Sequence, residues 1–523
     1  MADQPLTPEI RTARRNALGD VLTRSAARHR DKTAIIDGDT TLSYTEFDQV
    51  VTNVAASLQR LGITTGDRLA LVSRNSWQFA AIAWGAARAG VMLVPINFML
   101  GAEEIAYILD HAEVSGVIVQ AEFGAALDGA LATATTSPAV RLHYGADTTP
   151  QGWGSLDDLF VAAPQGWDAP TIDDDAPIRL MYTSGTESRP KGAMLSSRSL
   201  IAEYTSAIID GGMTSDDVDL HTLPLYHCAQ LDCFLGPDLM LGATSIILPA
   251  PAPDVVLAKI AEHKVTKYFA PPTVWISLLR NAGFDDADLS SLKKGYYGAS
   301  IMPVEVLNEI SRRLPNVRLW NFYGQTELAP VATILQPEEQ VSHAGSAGYP
   351  TLNVQTILVD DDDNEVPQGE VGEVVHRSPH ATLGYWRDEA KTAEAFKNGW
   401  FHSGDLGVFD AEGRLSIVDR KKDMIKSGGE NVASREVEET IYAHPDVAEV
   451  AVFGLPDAKW VEAVTAAVVA RPGSTLTVEA LAAYCAEHLA PYKRPKRIEI
   501  VESLPKNPSG KILKRELRDT MAD

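Results

Sequence analysis

Short β-rich runs alternate with longer Ala-rich stretches through the first four hundred residues, and this alternation limits the fold more than any other feature. Residues 68–73 (RLALVS), 91–96 (VMLVPI), 115–120 (SGVIVQ), 243–249 (ATSIILP) and 267–272 (KYFAPP) read as strands. Stretches between them, such as 44–62, carry apolar residues at helical spacing. Apolar strands separated by helices predict parallel sheets covered on both faces, an α/β architecture. At 523 residues the chain exceeds one ordinary core, so two or more domains are expected. Residues 79–100 are apolar enough to suggest a membrane span, but Arg88, Gly90 and Pro95 interrupt them. They read instead as a buried helix followed by a buried strand, and no stable membrane insertion is expected.

From about Val371 the texture changes. GEVVHRS and GRLSIVD look like antiparallel strands around turns, and DRKKDMIKSGGENV then sets Arg420, Lys421, Lys422 and Lys426 beside a Gly-Gly pair, with Arg435 just beyond. A charged, glycine-bearing segment between two patterned regions marks a junction. The expected division is 1–419, a hinge at 420–422, and a compact unit over 423–523. The charge balance, 46 Lys and Arg against 70 Asp and Glu for a net −24, disfavours nucleic acid and anionic membrane as partners. Three cysteines, Cys228, Cys233 and Cys485, without a C-x-x-C pair suggest neither zinc nor disulfides. The start, MADQPLTPEI, lacks an apolar signal core, so a cytoplasmic location is expected, and a homodimer is left open.

Five stretches carry chemistry. MYTSGTESRPKGAM (181–194) concentrates hydroxyls, glycines and Lys191 after a strand-like run, and so presents N–H, O–H and ammonium groups to phosphate oxygens. Glu187 is its anomaly, an anion inside an anion-binding loop. NFYGQTELAP (321–330) offers the Tyr323 ring to a base, the Thr326 hydroxyl to phosphate and the Glu327 carboxylate to Mg²⁺. In GWFHSGDLG (399–407), Asp405 can accept two hydroxyl hydrogen bonds, as from a ribose, with Arg420 as a second ribose partner. In KSGGENV (426–432) the two glycines allow close backbone approach. PKNPSGKILKREL (505–517) sets Lys511 on a loop ahead of a basic helix. Each stretch alone could be an ordinary loop or a solvated charge run.

Together, in this order and spacing over essentially the whole chain, they resemble the adenylate-forming superfamily of acyl- and aryl-CoA synthetases, peptide adenylation domains and luciferases. The resemblance implies a large N-terminal domain of parallel-rich sheets flanked by helices with a β-barrel-like subdomain, and a small mobile α+β C-terminal domain. It implies ATP, Mg²⁺ and coenzyme A as cofactors and a small carboxylic acid as substrate. Thr183, Ser184, Gly185, Thr186, Glu187 and Lys191 would wrap the pyrophosphate. Thr183 and Glu327 would hold Mg²⁺. Gly298, Ala299 and Ser300 with Tyr323 would sandwich adenine, Asn321, Gly324 and Thr326 would also contact the nucleotide, and Asp405 and Arg420 would hold the ribose. Lys422 would be the hinge, Lys426 would contact a cofactor, Gly428 and Gly429 would line the thiol channel, and Lys511, with Thr183 and Glu327, would be catalytic. His227, Ser300 and Val331 would border the acid.

The implied activity is an AMP-forming acid–CoA ligase. The wall candidates YHCAQLDCF, YYGASIM and TELAPVATI are mostly small or apolar, which favours a medium- or long-chain fatty acid, with an aryl or cinnamate-like acid second. A luciferase-like enzyme and an adenylating enzyme with another acceptor share the motifs. A non-catalytic nucleotide-binding regulator has no need of Lys511 or the Gly-Gly segment.

Overall fold

The computed structural model describes residues 7–183, 189–506 and 512–522; Ser184, Gly185, Thr186, Glu187, Ser188 and Lys511 lie outside the described residues. The chain divides into two compact units. The first takes the described residues before 184 together with 190–355 and 376–401, and the second takes 356–375 and 402 onward.

Two sheets organise the first unit. In one, the apolar runs Arg68–Val72, Met92–Ile96 and Gly116–Gln120 lie parallel, with Met92–Ile96 also beside Pro177–Thr183. Pro177–Thr183 then turns back antiparallel into Lys191–Ser196, in register from Pro177↔Ser196 to Thr183↔Lys191. The other sheet runs in the order Ser346–Pro350, Val331–Leu335, Arg318–Gly324, Lys294–Gly298, Lys267–Phe269, Val218–His221, Thr244–Ile247, Thr33–Asp37 and Thr40–Ser43. Its middle strands are parallel and its ends antiparallel.

Helices cover these strands as the periodicity predicts. Tyr44–Arg60 is started by a capping box of Ser43 and Glu46 and buries Phe47, Val51, Val54, Ala55 and Leu58 on one face. The ambiguous apolar stretch resolves into the helix Trp77–Ala89, capped by Ser76 and closed by left-handed Gly90, and the buried strand Met92–Ile96. No described helix is long and apolar enough to cross a membrane.

In the second unit, Gln355–Val359, Gly372–Arg377, Trp400–Phe409 and Leu415–Arg420 lie side by side. After them comes the hairpin Ile425–Ser427 and Glu430–Val432, then the long antiparallel pair Val447–Asp457 and Val461–Ala470, with Arg497–Ile500 parallel to the latter. Ser434–Tyr442 and Val478–His488 pack Val437, Ile441, Leu481 and Cys485 against the strand residues Val450, Val452, Val464 and Val468.

Candidate active site

Several of the chemistry-bearing stretches sit where parallel strands end, where open α/β sheets bind ligands. Lys294–Gly298 delivers Ala299 and Ser300, both exposed, and Ala299 adopts a left-handed backbone (φ +64°). Arg318–Gly324 delivers Gln325, Thr326 and Glu327, and Val218–His221 leads into the segment ending at His227.

Thr183 and Lys191 face each other across the antiparallel pair that brackets the hydroxyl-rich loop. The segment 382–386 lies along the Lys191 strand: Leu383 N–H donates to Met194 O (2.9 Å), Met194 N–H to Gly384 O (3.0 Å) and Trp386 N–H to Gly192 O (2.8 Å). It thereby brings Tyr385 beneath Lys191, whose ammonium is 5.0 Å from the ring centroid. The Tyr385 hydroxyl donates to Glu327 Oε1 at 2.9 Å. Glu327 O in turn accepts from Thr382 N–H (2.7 Å). Thr183, Lys191, Tyr385 and Glu327 are thus linked in one chain of contacts. The second carboxylate oxygen of Glu327 has no partner among the described residues.

His227 is exposed, yet enough protein surrounds it that desolvation lowers its pKa, as for a side chain lining a cleft; its imidazole is neutral at pH 7. Next to it the Cys228 thiol, pushed up to about 12 by burial, lies 3.3 Å from the Thr326 hydroxyl. Behind these residues stands a wall of rings. Phe234 stacks on Phe269 (4.3 Å between centroids) and on Phe322 (5.6 Å), and Tyr296 stacks on Trp320 (5.1 Å). Val331, Cys233 and Ala207 belong to the same buried cluster.

The helical stretch carrying Cys228 to Leu241 is tied down by fully buried charges on both sides. Asp232 lies 3.6 Å from Arg179 Nε and accepts from the Tyr204 hydroxyl (3.2 Å); burial pushes its carboxyl up to about 6. Asp238 pairs with Lys267, which also lies 3.2 Å from Asp219. His221 Nε2 is 3.2 Å from Asp238 Oδ2. Gln230 Oε1 accepts from Leu223 N–H (3.2 Å), so its amide N–H faces His221 Nδ1 (2.6 Å) and leaves the imidazole proton on Nε2, toward Asp238. Removing one partner of such a buried pair costs about 3–5 kcal/mol, which fixes the register of the helix behind His227.

In the second unit, Asp405 and Arg420 are cross-strand partners, with Arg420 Nε 3.2 Å from Asp405 Oδ1. Asp405 is nearly buried and Arg420 half-exposed, so the guanidinium holds the carboxylate at the edge of the sheet. The chain then turns sharply, with Asp423 N–H and Met424 N–H both donating to Arg420 O; Lys422 lies inside this turn. Gly428 and Gly429 form the two-residue turn of the next hairpin, both with positive φ (+64° and +89°), the pattern of a type I′ connection. A Cβ at Gly428 would lie 3.0 Å from the Trp460 ring, while Gly429 faces open space. Lys459 and Lys496 place ammonium groups 4.7 and 5.0 Å from the Trp460 ring.

The AMP-binding enzyme pattern matches residues 22–386, and its C-terminal domain pattern matches 436–511. The chain belongs to the AMP-binding enzyme family. It is 35% identical to a feruloyl-CoA synthase of Amycolatopsis over 97% of this chain and 99% of that one. It is 34% identical to a long-chain-fatty-acid–CoA ligase of Escherichia coli over 99% of this chain and 96% of that one. Its fold superposes on ATP-bound MatB from Rhodopseudomonas palustris with a TM-score of 0.88, at 29% identity over 97% and 99% of the two chains. It is an acid–thiol ligase of the acyl-CoA ligase class, whose members act on carboxylic acids, ATP and CoA.

Within the ligase's first unit, the structure brings together Thr183, Lys191, Thr326 and Glu327, and places Val331 in the ring cluster. Asn321 is engaged in the fold, its side-chain amide donating to Ser346 O (2.9 Å). Tyr323 is half-buried against Leu328, Ala332 and Phe401. Tyr385 was not among the residues the sequence singled out; its only local signal is the aromatic pair after Gly384 in a turn-prone stretch. Trp460 was missed as well, because it meets Gly428 through sheet pairing and not through chain proximity.

Proposed function

We propose that the ligase activates an aromatic carboxylic acid as its acyl-adenylate and transfers the acyl group to coenzyme A. In the first half-reaction a carboxylate oxygen attacks the α-phosphorus of ATP and the bond to pyrophosphate breaks. In the second, the thiol attacks the acyl carbon, the bond to the AMP oxygen breaks, and AMP leaves. The chain's own groups position two anions and neutralise charge, which is most of what phosphoryl transfer requires. Lys191 and the hydroxyl-rich loop, with Glu187 among its residues, receive the phosphates. Mg²⁺, held by Thr183 and Glu327, would supply charge neutralisation there. Tyr385 orients the carboxylate of Glu327, while Asp405 and Arg420 receive the ribose hydroxyls. Lys426, the Gly428–Gly429 turn and the Trp460 ring with Lys459 and Lys496 form a face suited to the thiol and to an anionic nucleotide. The turn around Lys422, inside the second compact unit, would serve as the backbone hinge between residues 1–419 and 423–523.

The observation that carries the choice of acid is the ring wall. Phe234, Phe269, Tyr296, Trp320 and Phe322 are each no more than 6% exposed and interlock behind Val331 and Cys233. An aromatic acid would meet a ring-rich boundary behind Val331 and not an aliphatic one. The kinship with a feruloyl-CoA synthase supports the same choice. A fatty acid, the first choice from the small residues near His227, is the second reading here, supported by similarity to a long-chain-fatty-acid ligase. The test is a pyrophosphate-release panel over cinnamate, decanoate and phenylalanine with ATP, with and without CoA. The expected result is a kcat/KM for cinnamate-type acids at least about tenfold above that for decanoate. A preference for decanoate would reverse the order.

A further inference from the structure

The helix Ala102–Ala112 buries Ile105, Ile108 and Leu109 and carries Tyr107 and His111 half-buried, four residues apart and so on one face. Their rings stack, with 5.4 Å between centroids. Each reaches a different end of the hydroxyl-rich stretch. His111 Nδ1 lies 2.7 Å from the Tyr182 hydroxyl, and the Tyr107 hydroxyl donates to Pro190 O at 3.2 Å. Tyr182 immediately precedes Thr183, and Pro190 immediately precedes Lys191, the two residues paired across the antiparallel ladder. Successive side chains on a strand point to opposite faces, so with Tyr182 turned toward the helix, Thr183 points away from it. The end of the same helix holds a third element, because Trp386 Nε1–H donates to His111 O (3.1 Å). Trp386 follows Tyr385, the residue beneath Lys191.

One helix face thus grips, from behind, the strand that ends at Thr183, the residue before Lys191 and the segment that carries Tyr385. Groups that meet a transferring phosphoryl must be held close to the productive geometry, and side chains locked by packing and hydrogen bonds behind them supply that hold. On the reading that Thr183 and Lys191 receive the phosphates of ATP, we infer that Tyr107 and His111 are positioning residues for adenylation. They fix the separation and direction of Thr183 and Lys191 through the Tyr182 hydroxyl and the Pro190 carbonyl, and touch no substrate themselves. The two half-reactions depend on this grip unequally. Adenylation needs the pyrophosphate oxygens held while the α-phosphorus is attacked, whereas the thiol step begins after pyrophosphate has left.

The test measures both half-reactions in the full-length enzyme: pyrophosphate release against ATP concentration, and CoA-thioester formation from synthetic acyl-adenylate. Tyr107→Phe and Tyr182→Phe each remove one hydroxyl and keep the ring, while His111→Leu removes the imidazole. Each is expected to lower kcat/KM for ATP in adenylation about tenfold, with thioester formation within about twofold of wild type. His111→Asn, which keeps a hydrogen-bonding group near the Nδ1 position, should recover adenylation to within about threefold. His111→Leu and Tyr182→Phe break the same bond from its two sides, so the double variant should be no slower than the worse single one. Equal losses in both half-reactions would make the role merely structural and overturn the inference, and so would wild-type adenylation in Tyr107→Phe and Tyr182→Phe. Those two variants decide the matter even if His111→Leu fails to fold. If Lys191→Ala leaves adenylation at the wild-type rate, the phosphate reading fails and this inference with it. If Lys191→Ala cripples adenylation while the two Phe variants do not, only the positioning role fails.

Discussion

Replacing Lys511 by alanine is expected to slow acyl-adenylate formation by about a hundredfold to a thousandfold, while thioester formation from supplied acyl-adenylate stays within about twofold of wild type. The reason lies in the different demands of the two half-reactions. Joining a carboxylate to ATP sets anion against anion and spreads charge over phosphoryl oxygens, so a single well-placed ammonium carries a large share of the stabilisation. Thiol attack on the acyl carbon leaves AMP as the departing group and makes no such demand. Residues 507–511 are outside the described part of the chain, and the residues on either side pair with each other. Lys506 and Ile512 pair as an antiparallel bridge, Leu513 N–H donates to Pro505 O (2.8 Å), and Lys506 Nζ meets Glu449 at 2.6 Å. Separate assays of pyrophosphate release and of CoA-thioester formation from synthetic acyl-adenylate check the prediction, and equal losses in both would remove Lys511 from the adenylation step.

The second large effect is expected at Gly324, a position with no chemistry of its own. Arg318–Gly324 pairs antiparallel with Val331–Leu335, with a register shift between Tyr323 and Gly324. A Cβ at Gly324 would lie 1.9 Å from Pro330 O and 2.9 Å from Ala332 N. Both obstacles are backbone, so no rotamer change relieves them. Overpacking a core typically costs about 1–3 kcal/mol where side chains can yield, and Gly324→Ala should cost at least that. The displaced strand carries Tyr323 on one side of the glycine and Thr326 and Glu327 on the other. Shifts near 1 Å in positioning residues cost about a hundredfold in rate. Gly324→Ala should therefore lower the unfolding temperature, measured by calorimetry, and reduce adenylation about a hundredfold in whatever folds. Wild-type stability and activity would mean that the two strands are not as close as described.

The sequence reveals those parts of the molecule whose signal is local. Apolar runs flanked by helical periodicity identify the parallel strands, and the Arg88, Gly90 and Pro95 interruptions separate the helix Trp77–Ala89 from the strand Met92–Ile96. The Glu327 turn and the Gly-Gly hairpin are legible because each compresses its signal into a few neighbouring residues. What stayed hidden is assembled across long sequence distances. The ring wall draws Phe234, Phe269, Tyr296, Trp320 and Phe322 from separate strands and a helix, each of them an ordinary core aromatic in its own segment. Tyr385 reaches Glu327 across 58 residues. The small residues near His227 put a fatty acid first and an aryl acid second; the ring wall on which the proposed aromatic acid rests stayed hidden because local composition does not reveal what stands in the next layer.

The proposed function requires an acyl-adenylate formed by carboxylate attack on the α-phosphorus, and the fate of the carboxylate oxygens tests it most directly. With an acid substrate labelled in both carboxylate oxygens with oxygen-18, turnover in the presence of ATP and CoA should release AMP carrying one labelled oxygen, with pyrophosphate unlabelled, as read by mass spectrometry. Label in pyrophosphate or inorganic phosphate, with AMP unlabelled or ADP as the product, would contradict the adenylate and the function built on it.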